Sequence, residues 1–82
     1  MRHARDEDLD RVEDLLNQIR TLPGLVEKKR GVFYRKGRSF LHFHEDPKGM
    51  FADISDPDER IEVSSPAGQA RLIGAARRRL AG

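Results

Sequence analysis

Residues Gly31 to Ile54 read GVFYRKGRSFLHFHEDPKGMFADI, and the way this stretch pairs with itself decides the fold. It holds all four phenylalanines, the single tyrosine and two of the three histidines. Three alternating runs, Val32–Arg35, Ser39–Glu45 and Met50–Ile54, are separated by two turn signals. Lys36-Gly37 suits a tight hairpin turn, and Asp46-Pro47-Lys48-Gly49 puts proline and glycine at usable positions of a four-residue turn. An antiparallel meander follows.

Side chains on a strand alternate between faces, so the turns assign the faces. With Asp46–Gly49 as the loop, Glu45 pairs with Met50, Phe43 with Ala52 and Leu41 with Ile54. Leu41, Phe43, Met50, Ala52 and Ile54 then share one apolar face. The other face pairs His44 with Phe51 and His42 with Asp53, with Phe40 beside them. For the first hairpin, a two-residue Lys36-Gly37 turn pairs Phe33 with Phe40 and Val32 with Leu41. A three-residue loop with Gly37 as a bulge would turn Phe33 inward instead, because a one-residue slip moves every side chain to the opposite face. The two-residue register is the expectation adopted.

Outward from this block, Leu9, Val12, Leu15, Leu16, Ile19 and Leu22 recur at helical spacing and predict a helix over 7–21, capped by Asp6 or Asp8 and ended by Pro23-Gly24. Residues 1–5 read as a disordered tail. Leu25 to Arg30 suits an edge strand whose Lys28, Lys29 and Arg30 discourage edge pairing. After a turn at Asp56-Pro57-Asp58, Arg60–Val63 is long enough for a fourth strand. Ser64-Ser65-Pro66 starts a second helix, with Leu72, Ile73, Ala76 and Leu80 on one face and Arg77, Arg78 and Arg79 at the negative end of its dipole. Gly68 and Gly74 weaken that helix, so packing must hold it. The reading is a single α+β domain over 1–82, αββββα, with an antiparallel sheet of three to four strands and both helices packed on one face.

Composition narrows the function classes. The absence of cysteine excludes disulfides, thiolate zinc sites and cysteine nucleophiles. No apolar run approaches the ~18 residues that span a bilayer, and the first residues lack the apolar core of a signal peptide, so a soluble cytoplasmic protein without membrane partners is expected. The net charge is +2, alternating as −2, +4, −4 and +4 over residues 1–20, 21–49, 50–65 and 66–82. Up-and-down connections would set Asp6, Glu7, Asp8, Asp56, Asp58 and Glu59 beside Arg35, Lys36, Arg38 and Arg77–Arg79. Lys28, Lys29, Arg30 and Lys48 would gather at the opposite end as a small candidate nucleic-acid patch.

The candidate binding face is Phe40, His42, His44, Phe51 and Asp53. His42-x-His44 on a strand sends both imidazoles to one side, with Asp53 across from His42, and two imidazoles plus a carboxylate suit zinc, iron or manganese. The same groups could orient a histidine for acid–base chemistry, but no nucleophile elbow or phosphate loop completes a catalytic site. Phenylalanines on an open sheet with basic neighbours are also a pattern of single-strand nucleic-acid platforms. Exposed aromatics on so small a chain fit a homodimer or protein-docking surface without special chemistry.

Leu22-Pro23-Gly24-Leu25, followed by Phe33-Tyr34-Arg35-Lys36-Gly37-Arg38 and Phe40, resembles the opening half of YjbR-type proteins. His42-Phe43-His44, a glycine turn and Ala52-Asp53-Ile54 are similar to the His-x-His…Asp block of the luciferase-like domain of unknown function. The resemblance spans residues 20–55 and is to small prokaryotic proteins. It implies an α+β fold with helices against one sheet face. YjbR-type proteins have been suggested to bind DNA, and the resemblance transfers no catalytic residue. The expectation is a non-enzymatic binding or self-association module without a catalytic residue, working through the aromatic and histidine face. Nucleic-acid binding and a His42/His44/Asp53 metal site are the alternatives, a divalent metal being the one cofactor considered.

Overall fold

Val32 to Ile54 supplies the three middle strands of an antiparallel sheet in the computed structural model, which describes every residue from Met1 to Gly82. The strands are β1 (Arg2–His3), β2 (Val26–Lys29), β3 (Val32–Arg35), β4 (Arg38–Asp46), β5 (Gly49–Ile54) and β6 (Glu59–Glu62). Their order is β2-β3-β4-β5-β6, with β1 also paired to β4. The helices are α1 (Asp6–Leu9), α2 (Glu13–Arg20) and α3 (Pro66–Ala81), with a 3₁₀ turn over Asp10–Val12 joining the first two. No helix is long and apolar enough to cross a membrane.

The first helical segment follows its stripe. Leu9, Val12, Leu15, Leu16 and Ile19 are all buried. Asp8 caps it from inside the first turn, where its Oδ2 accepts a hydrogen bond from the Arg5 amide at 2.9 Å. Asp6, Glu7 and Asp8 together oppose the positive end of the helix. In α3, the Ser65 hydroxyl accepts from the Gly68 amide at 3.1 Å and Pro66 takes the first turn. Gly68 has a packing reason to lack a side chain: a Cβ there would collide with the Glu62 carbonyl of β6. The helix thus lies close on the sheet edge. Both apolar stripes cover one sheet face, where Leu41, Phe43, Met50, Ala52, Ile54 and Ile61 complete a continuous core. Each such Leu, Ile or Phe contributes about 1.5–3 kcal/mol by leaving water.

The β4–β5 register agrees with the sequence reading from Leu41 opposite Ile54 to Glu45 opposite Met50, and the ladder runs one pair further, to Asp46 opposite Gly49. The first hairpin departs from it. Lys36-Gly37 is a two-residue turn with φ of 52° and 79°, and Arg35 faces Arg38 as such a turn requires. Yet Tyr34 faces Ser39 and Phe33 faces Leu41, leaving Phe40 as the extra residue of a β-bulge. The expected pairing of Phe33 with Phe40 is therefore corrected. The bulge lets both Phe40 and Leu41 enter the core, at 2% and 0% exposure, and carries Phe33 inward as well. Burying two large rings favours the bulge over a regular ladder.

The sheet has six strands rather than three or four. The expected edge strand is present as β2. The further strand comes from the segment expected to be a disordered tail: Arg2 pairs with Glu45 and His3 with His44, and the Ala4 amide donates to the Phe43 carbonyl at 3.1 Å. The reason lies in β4. Its nine residues outrun β3, which pairs only from Arg38 to Leu41, so the outer half of that edge needs another partner for its backbone groups. Arg2 fastens the added strand to Asp8 at 2.9 Å and Glu45 at 3.4 Å.

Candidate metal centre

The uncovered face of the sheet carries two rows that run across the strands. One is His42 on β4, Asp53 on β5 and Arg60 on β6; the other is His3 on β1, His44 on β4, Phe51 on β5 and Glu62 on β6. The spacing of two within β4 and the antiparallel pairing to β5 bring His42, His44 and Asp53 together. One ligand atom from each lies within 4.8 Å of the others.

Asp53 is the hub. Its Oδ2 stands 2.9 Å from His44 Nε2 and 3.6 Å from His42 Nε2. Two donors bound at about 2.0–2.1 Å to one tetrahedral ion lie about 3.3 Å apart, and the two observed separations bracket that value. The side chains of His42, His44 and Asp53 retain 30%, 14% and 24% of their exposure, so the cluster is partly desolvated yet open to an entering ion. An open cleft of about 440 Å³ begins at His42 and Asp53 and continues along Ser55, Asp58, Glu59 and Arg60.

The charge states favour ligation. Hydrogen bonds from Arg60, whose Nε and Nη2 reach Oδ1 and Oδ2 at 2.7 and 2.9 Å, hold the Asp53 carboxyl below the usual carboxylate range against the opposing effect of burial. Burial, then the adjacent His44, pushes the His42 imidazole below its ordinary value, against the pull of Asp53. The resting cluster pairs an ionised carboxylate with a neutral His42, the forms that bind metal. Arg60, bound to both oxygens of Asp53, competes with an ion for that carboxylate.

The remaining candidates are dispersed. Phe40 does not belong to this face; the bulge buries it in the core. Phe51 stays on the face, partly covered, opposite His44. Of the basic set, Arg30 is committed to Asp6, Asp10 and Glu13 at 3.3, 2.8 and 2.7 Å. The expected placement of Arg30 away from the start of the first helix is thereby corrected: Gly31 lies against Leu9, so the β2–β3 turn abuts α1. Lys28 sits over the Tyr34 ring at 4.6 Å, Lys29 ends β2, and Lys48 is in the β4–β5 turn. At the other end, Arg79 meets Glu59 at 3.3 Å and the Ser55 carbonyl at 2.9 Å, so the pairing of acidic turn and basic helix end holds for that residue.

Two residues of the site escaped the sequence reading. Arg60 was legible in principle, since carrying the meander one turn further places it opposite Asp53. His3 was not, because nothing local marks Arg2-His3 as a strand. Comparison with protein families, with characterised proteins and with solved structures finds no match to this chain, so function has to be argued from the site.

Proposed function

We propose that this protein binds a divalent transition metal of the zinc type through His42, His44 and Asp53. The observation that carries the reading is the convergence of two imidazoles and a carboxylate, from adjacent strands, on a partly desolvated sheet face. Nitrogen-rich sets of this kind prefer zinc, cobalt or nickel to magnesium or calcium. Metal binding is preferred here to self-association through an aromatic face, because the burial of Phe40 withdraws the main apolar support for that surface. The engagement of Arg30 by three carboxylates likewise weakens the nucleic-acid reading.

The test is titration of untagged, chelator-treated protein with zinc, followed through the imidazole NMR signals and by calorimetry. One equivalent should bind and shift the His42 and His44 resonances. His44→Gln should lower affinity by roughly tenfold or more through loss of a ligand. Arg60→Gln should tighten binding by freeing Asp53. Imidazole resonances that ignore zinc would dispose of the proposal.

A further inference from the structure

We infer that His3 is a fourth ligand of this site, so that metal binding and docking of the N-terminal strand are one coupled event. The inference rests on the metal reading and extends it to a residue outside the three-donor cluster. The ring centroids of His3, His42 and His44 form a triangle with sides of 4.8, 5.0 and 6.0 Å. Around a tetrahedral ion each imidazole centre sits about 3.2 Å from the metal, which places two ligating rings about 5 Å apart. Two of the three sides match that spacing; the third, from His3 to His42, is about 1 Å longer, so the His3 ring has to turn inward to bring a nitrogen to the ion. Asp53 occupies the fourth side, with its Oδ2 next to both His42 and His44.

The strand that carries His3 is positioned by contacts that do not involve its ring. The Ala4 amide donates to the Phe43 carbonyl at 3.1 Å, and Arg2 bridges Asp8 and Glu45. The His3 side chain is itself exposed, so it can turn toward an ion without losing a buried contact. Three imidazoles facing one another without a bound cation gain little; the same three around a cation gain three coordinate bonds.

Two consequences follow. A set of three nitrogens and one oxygen is closed by the protein itself, the pattern of a site that holds its metal rather than one that leaves a position for substrate. And because an ion that binds only the docked strand stabilises docking by mass action, the edge of β4 becomes metal-dependent.

Cobalt(II) reports coordination number through its visible absorption and distinguishes the two levels of the argument. The full chain, free of tags, should bind one cobalt ion with the intense bands of a four-coordinate site. Cobalt or zinc should also slow amide exchange at Ala4, whose hydrogen bond closes the β1–β4 ladder. His3→Gln should retain the metal-free unfolding midpoint, bind roughly tenfold or more weakly, shift the cobalt bands and abolish the added protection. If His3→Gln binds with unchanged affinity and spectrum, His3 is no ligand and the three-donor site stands alone. If the unsubstituted chain binds neither cobalt nor zinc, both levels fall.

Discussion

The two hairpins built on β4 begin alike and end differently. On the β5 side, each residue from Leu41 to Asp46 meets its partner in an unbroken ladder. On the β3 side, an equally short turn sets the first pair, Arg35 with Arg38, and the ladder then slips at Phe40. The regular hairpin separates the faces and assembles the site. The bulged one gives up that alternation to bury another ring. Turn chemistry thus governs register only up to the first place where core packing gains more by breaking it.

The sharpest way to break this comparison is to remove the ring that motivates the bulge. Phe40→Ala should destabilise by about 3–5 kcal/mol, the range for deleting a buried phenylalanine, measured by chemical denaturation. Phe51→Ala, on the regular hairpin's partly exposed face, should cost clearly less. Equal costs would mean that Phe40 is not a core residue. A smaller effect is expected at the turn. Gly37 has a φ of +79° with open space around it, so Gly37→Ala should cost about 1 kcal/mol through backbone strain alone. A neutral result would show that the turn does not require its positive φ.

The mildest effect is a pH dependence confined to the regular side. His42 is held below its ordinary pKa, so above about pH 6.5 it is neutral in both folded and unfolded chains and contributes nothing. As pH falls through that value the unfolded chain takes up a proton that the folded one resists, and stability declines. Asp53, also depressed, contributes stability that is present above about pH 4 and is lost as pH falls further. The groups facing His42 are His3, His44, Asp53 and Arg60, so the titration belongs to the cluster. Unfolding midpoints of metal-free protein at pH 8 and pH 5.5 should differ in this sense, and His42→Gln should flatten the difference. An unchanged slope in that variant would remove His42 as the source.

Much of this was legible in local patterns. The helical stripe from Leu9 to Ile19, the Ser65-Pro66 helix start and the charged edge strand at Lys28-Lys29 each follow from spacing or from one residue's chemistry. So does the meeting of His42, His44 and Asp53, because a period of two and one well-marked turn suffice to place them. Arg30 shows where such reasoning stops. Its charge was visible, but its three acidic partners lie 17 to 24 residues away and depend on Leu9 packing against Gly31.

The block from Gly31 to Ile54, taken alone, determined that one sheet face would be apolar and the other would gather histidines and an aspartate. Alternation and turns are properties of neighbouring residues, so sequence suffices for them. Only the tertiary structure decided that Phe40 leaves the histidine face and that His3 joins it. Both outcomes turn on the edge of β4, where the core draws a bulge inward over one half and the unpaired backbone of the other half recruits the N-terminal strand. Neither condition exists until the sheet is assembled.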